Sequence, residues 1–145
     1  PVAINEVCRG GFGAFVEVEV EPGQVLDGLT VELIDADSGA VQASLPLTGT
    51  APEDGLLVIG DASETWVDLD DTTGVTVIGD ADPFAIRISD GAGEVDTIQV
   101  GGTGDHGEGA PCINDSALCF ERFARVDTGD NLMDFVQSWR GTPGE

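Results

Sequence analysis

The stretch Phe15-Val16-Glu17-Val18-Glu19-Val20 decides how this chain is read. On an extended backbone Val16, Val18 and Val20 fall on one side and Phe15, Glu17 and Glu19 on the other. This period-two pattern marks a strand buried on one face and wet on the other. The β-branched residues on the buried side suit a pleated surface. Working outward, the alternation recurs. Leu29, Val31 and Leu33 oppose Thr30 and Glu32, and Phe84, Ile86 and Ile88 oppose Ala85, Arg87 and Ser89. Ile98 and Val100 are expected on one face with Asp96 set against them.

Turn chemistry separates these runs: Glu21-Pro22-Gly23, Asp27-Gly28, Asp37-Ser38-Gly39, Pro52-Glu53-Asp54-Gly55, Asp71-Thr72-Thr73-Gly74 and Asp90-Gly91. Each offers a glycine tolerant of positive φ or an Asx side chain that bonds its own backbone. Strands are expected over 3–8, 14–20, 29–35, 41–47, 56–60, 65–69, 75–78, 84–89, 94–100, 119–125 and 135–139, with one helical turn inside 131–136. Many short strands without a long amphipathic helix point to a sandwich or barrel. The glycine-rich stretch 101–118 reads as a surface loop or functional lip. No repeat or linker interrupts the chain, so residues 1–145 are expected to form one domain.

A chain of 145 residues can bury about 68–70% of its unfolded surface, enough for a two-layer core. It carries 28 acidic side chains against five arginines and no lysine, a net charge of −23. Nucleic-acid binding relies on basic side chains neutralising phosphates, so DNA and RNA are excluded as partners. Anionic lipid surfaces are disfavoured for the same reason. No apolar run approaches the ~18 residues of a membrane span. The absence of a visible leader, and a start at Pro1 rather than methionine, suggest an excised domain or processed product. The acidity reads first as a self-repelling, salt-adapted surface, and second as a means of holding divalent cations.

Three cysteines occur. Cys112 and Cys119 flank a short loop-like stretch, and a disulfide between them would contribute roughly 2–3 kcal/mol in the chain-entropy picture. Cys8 is then a buried thiol, unless it takes one of the other two as its partner. The spacing does not suit zinc, for which only His106 could add a nitrogen. A disulfide implies an oxidising compartment.

Catalytic signatures are missing: there is no G-x-S-x-G elbow, Walker loop or H-E-x-x-H. His106, in Gly104-Asp105-His106-Gly107-Glu108, reads as a solvated loop residue. Acids suited to a two-carboxylate hydrolase are plentiful. The sequence nevertheless suggests no aromatic-lined cleft, having no tyrosine and only Trp66 and Trp139. Trp66 reads as a strand residue and Trp139 as packing near the C-terminus, although either could instead anchor a partner. Asp127, Asp130 and Asp134, with Asn131, could place oxygens around Ca²⁺, but they do not fit the EF-hand pattern, and a turn-and-cap role is favoured. A second acidic group, Asp61, Glu64, Asp68, Asp70 and Asp71, reads as the wet face of an edge strand. No other cofactor is expected.

The order of short motifs across the chain resembles that of bacterial lamin-tail domains. It begins with Ile4-Asn5-Glu6-Val7 and Phe15-Val16-Glu17-Val18. Asp27-Gly28-Leu29-Thr30-Val31, Gly55-Leu56-Leu57-Val58-Ile59 and Ala85-Ile86-Arg87-Ile88 follow, then Glu94-Val95-Asp96 and Phe120-Glu121-Arg122. Asp127-Thr128, Asn131, Asp134-Phe135 and Thr142-Pro143-Gly144 complete it. Cys119 departs from the family's usual serine, and the second strand lacks its tyrosine-asparagine ending. The resemblance implies an all-β, immunoglobulin-like sandwich from an exported or surface-displayed bacterial protein. It further implies a non-catalytic module that holds a protein or matrix partner, or a neighbouring domain. A Ca²⁺-dependent carbohydrate- or matrix-binding module is the alternative.

Asn5, Glu6, Glu17, Arg122, Asp127 and Thr128 are the matched residues given structural roles. Glu6 is expected on the side of Ile4 and Cys8, where a carboxylate must be paired or wet. Arg122 is expected to make a bidentate contact to Asp127 or Asp134. Asp127, Thr128 and Asp130 are expected to accept backbone N–H groups in a compact turn.

Overall fold

Two sheets use the alternating faces in the computed structural model, which describes residues 2–10, 13–115 and 117–145. The strands are β1 (Ala3–Cys8), β2 (Phe15–Glu19), β3 (Thr30–Asp35), β4 (Val41–Pro46) and β5 (Leu56–Gly60). β6 (Leu69–Asp70), β7 (Phe84–Asp90), β8 (Gly93–Val100), β9 (Cys119–Arg122) and β10 (Phe135–Ser138) complete the set. One sheet runs β10-β9-β1-β2-β5-β6 and the other β4-β3-β7-β8. All pairings are antiparallel except β5 with β6. Ile4, Val7, Val16 and Val18 from the first sheet meet Val31, Leu33, Ile86, Ile88 and Ile98 from the second in one buried core. The architecture is an all-β sandwich-like arrangement. No helix among the described residues is long and apolar enough to cross a membrane.

The expected 75–78 strand does not form, because one aspartate takes its donors. The Asp71 carboxylate accepts N–H groups from Gly74 at 2.8 Å, Val75 at 3.0 Å and Thr76 at 2.9 Å, and the Thr76 hydroxyl at 2.6 Å. The 65–69 segment likewise turns, through Glu64 N–H to Asp61 O and Val67 N–H to Glu64 O, and pairs only at Leu69–Asp70. Beyond Arg122 the chain leaves its strand as Ala124 and Arg125 adopt φ of 52° and 55°. The expected helical turn is present as α1 (Asn131–Asp134).

Two facing assignments change. The β1–β2 register slips between Ile4 and Glu6, so Asn5 is an extra, bulged residue. Ile4 and Val7 both enter the core, whereas Glu6 shares the outer side with Cys8 but not with Ile4. Asp96 is buried on the inner face with Ile98 and Val100, as an even spacing along a strand requires.

The disulfide joins Cys8 to Cys119, not Cys112 to Cys119. Cys8 and Cys119 are directly opposed on β1 and β9, with Cα atoms 4.1 Å apart. Cys112 lies away from them, bridged to Val100 beside β8 and buried in the main core as a free thiol. A covalent cross-link of this kind belongs to an oxidising environment.

Candidate functional site

Arg122 leaves β9 and spreads across carboxylates from three segments. Its NH2 nitrogen meets Asp96 Oδ2 at 2.8 Å, while NH1 reaches Asp134 Oδ2 and Asp127 Oδ1, each at 3.2 Å. Nε donates to the Ile4 carbonyl at 2.8 Å, and the guanidinium lies 4.6 Å from the centre of the Phe135 ring. Asp127 and Asp134 are thus both partners, and Asp96 is a third that the motifs did not suggest. Asp96 also accepts N–H groups from Ile4 at 2.6 Å and Thr97 at 2.9 Å. Burial raises its pKa, and these donors with Arg122 oppose the rise. Thr128 is a donor here rather than an acceptor, giving its N–H and hydroxyl to Asp134. Asp127 and Asp130 do accept backbone N–H groups, from Gly129 at 3.0 Å and Leu132 at 3.1 Å.

The proposed calcium set is spread over different tasks: Asp130 caps α1, and Asp134 is enclosed by Arg122 and Thr128. Among the described residues, the group of three carboxylates whose oxygens all lie within 4.8 Å of one another is instead Asp96, Glu108 and Asp127. Burial, reinforced by Asp96 and Asp127, lifts Glu108 to about 7. Arg122 already supplies a cation at this junction.

Asn131 occupies the free edge of β8. Its side-chain oxygen accepts the N–H of Gln99 at 2.9 Å and of Glu108 at 3.0 Å, and its Nδ2 donates to Thr97 O at 2.9 Å. The amide side chain therefore acts as a one-residue strand partner. The Cys112 thiol donates to its carbonyl. Nearby, His106 N–H bonds Gln99 Oε1 at 2.7 Å, and its ring lies close to Gly39 and Gly104.

On the outer face of the larger sheet, Glu17, Glu6 and Glu121 stand in register on β2, β1 and β9. The C-terminal segment straps over them. Thr142 N–H donates to Glu6 at 2.6 Å, Gly144 N–H to Glu17 at 2.6 Å, and Asn5 Nδ2 to the other Glu17 oxygen at 2.6 Å. Burial first, then Glu121 and Glu17, push Glu6 up to about 7. Glu17 is raised by burial too. The opening asparagine-glutamate motif and the closing Thr142-Pro143-Gly144 motif are thereby brought into contact.

The strap forms one wall of a cleft of about 730 Å³ around the Cys8–Cys119 disulfide. Phe15, Trp66, Leu118, Trp139, Arg140 and Pro143 line it. Phe15 and Trp66 pack edge to face with ring centres 5.4 Å apart, while Trp139 is 67% exposed. Gly141 seats the strap: a Cβ there would lie 2.6 Å from both Cys8 Sγ and the Phe15 ring. The sequence had suggested no aromatic cleft, because Trp66 read as a strand residue and Trp139 as packing. The turn at 61–67 and the strap bring them together. Among the described residues, no Asp or Glu lines the cleft. A second cavity of about 670 Å³ is the reverse, with Asp35, Asp37 and Asp82 on its walls. His106 lines neither.

No protein-family model matches the chain, and no curated protein or solved structure matches it either.

Proposed function

We propose that this protein is a non-catalytic interaction module of the lamin-tail type, exported or displayed at a bacterial surface. Its contact face is the tryptophan cleft over the Cys8–Cys119 disulfide. The observation that carries the reading is Trp139, two-thirds exposed beside Trp66 on an otherwise acidic molecule. Exposed aromatic anchors at the mouth of a pocket are the typical hot spots of an interface. The polar motif residues support the non-catalytic part. Arg122, Asp96, Asp134, Glu6 and Glu17 are buried and committed to backbone or ion-pair contacts. The lamin-tail part rests on motif order together with a two-sheet sandwich. The partner is a protein or an extracellular matrix component.

Attachment of fluorescent protein to intact bacterial cell-wall and matrix preparations tests the reading. The Trp66→Ala/Trp139→Ala protein should lose attachment, with a lower melting temperature because Trp66 packs on Phe15, while Trp139→Ala alone, at an exposed side chain, should weaken attachment with its melting temperature unchanged. Attachment unaffected by the double substitution would rule the cleft out. Turnover of ester, glycoside or phosphate substrates, abolished by replacing a single acid, would refute the absence of catalysis.

A Ca²⁺-dependent binding module is the second reading, favoured by the convergence of Asp96, Glu108 and Asp127. Calorimetry at millimolar Ca²⁺ decides it: heat and a raised melting point support it, and neither argues against it.

A further inference from the structure

We infer that the tryptophan cleft recognises a single uronate unit within an otherwise neutral glycan, the ring face resting on Trp139 and Trp66 and the carboxylate held by Arg140. The inference rests on the reading of that cleft as the contact face, and adds the chemistry of what enters it.

Charge is the first argument. The molecule carries −23, yet the lining of this cleft contains, among the described residues, no acid and one arginine. The other arginines are engaged. Arg9 donates to the carbonyls of Asp82, Asp115 and Ala117. Arg87 pairs with Glu32 at 2.9 Å, Arg122 with its three aspartates, and Arg125 donates to Glu145 O. Among the described residues the Arg140 guanidinium makes no hydrogen bond or ion pair, and it is exposed. A free planar fork of donors matches a carboxylate in bidentate geometry.

Shape is the second. A volume of about 730 Å³ lies within the range of small-ligand sites, which pair apolar walls with a few placed polar groups. The walls are aromatic, but the cleft stays open to water at Trp139. A wholly apolar ligand would leave one side unburied. A pyranose has an apolar C–H face for an indole and a hydroxyl edge for solvent, so it fits a half-open aromatic cleft. The surrounding field sets the charge density of the ligand. A polyanion would be repelled by the acidic surface over a Debye length of about 8 Å at physiological salt. One carboxylate at Arg140 among neutral sugars avoids that repulsion.

The test is titration, by tryptophan fluorescence and calorimetry, of a uronate trisaccharide bearing one free carboxylate, alongside its fully methyl-esterified form. The free acid should quench fluorescence and bind at least tenfold more tightly than the ester. Arg140→Gln should reduce the acid's affinity to that of the ester, and Trp139→Ala should abolish binding of both. EDTA should change nothing, which separates this recognition from a Ca²⁺-dependent one. Both side chains are exposed, so unchanged melting temperatures will show that each variant is folded. Equal affinity for acid and ester, or indifference to Arg140→Gln, overturns the inference. So does the absence of saccharide binding at millimolar concentration. If attachment to matrix still requires the tryptophans in that last case, the contact face stands and the uronate does not.

Discussion

Glu6 accepts the backbone N–H of Thr142 at 2.6 Å, joining positions 136 residues apart at the two ends of the chain. This carboxylate titrates at about 7 in the folded protein against an ordinary 4.5. Between those values the folded state binds the extra proton, so the stability this group contributes is fully present below pH 4.5 and is lost as pH rises towards 7. Glu17, also raised, contributes in the same direction. The melting temperature should therefore drop from pH 5 to pH 8. Glu6→Gln, which keeps an oxygen for Thr142 and removes a charge facing Glu17 and Glu121, should raise it at pH 8 and change little at pH 5. Thermal unfolding across that range checks both expectations.

Arg122→Leu should be among the most damaging single substitutions. It leaves Asp96 and Asp134 buried without their cation, a loss of about 3–5 kcal/mol for a broken buried pair. Adding Asp96→Asn to that variant should restore part of the loss, because one stranded charge is then removed. Urea denaturation of the two proteins supplies the comparison.

Asn131→Ala removes the two contacts by which α1 covers β8, at Gln99 and Thr97, and the one that holds Glu108. The cost should be about 2–3 kcal/mol, chiefly from buried backbone groups left unpaired. Hydrogen exchange gives a local readout: the amides of Gln99 and Glu108 should lose protection before those of β7.

Peptide mapping under non-reducing conditions should recover Cys8 linked to Cys119 and Cys112 unlinked. Burial pushes the Cys112 thiol up to about 12, so iodoacetamide should reach it only after denaturation. Reducing the disulfide opens a loop with a sequence separation of 111, and should cost between about 2 and 5 kcal/mol. Alkylation of Cys112 in the native protein would contradict its burial.

Alternation made the sheets legible. Where Val16, Val18, Leu33, Ile86 and Ile98 repeat every second residue, strands formed at or near the expected positions. The failures arose where a side chain competed with the ladder. Asp71 took the backbone donors of Val75 and Thr76 that a strand at 75–78 would have used, and that of Gly74 before it. A bulge at Asn5 turned Glu6 away from Ile4, and one extra residue in a strand leaves no periodic trace. Counting by twos would have placed Asp96 beside Ile98, so that signal was present in the sequence. The Cys8–Cys119 pairing depended on β9 lying beside β1, and a local spacing cannot report a pairing between strands distant in sequence. The tryptophan cleft had the same origin, since a turn at 61–67 and a tail beyond β10 meet only through the tertiary fold.

The covalent link between β1 and β9 also has a mechanical meaning. A pull on the two ends of the chain passes through the sulfur–sulfur bond, and residues 9–118 bear no tension while that bond holds. Only residues 1–8 and 119–145 can be drawn out, about 35 residues or roughly 120 Å at full extension, against roughly 500 Å for the whole chain. Under load, with the bond intact, the chain can lengthen to only about a quarter of its full reach.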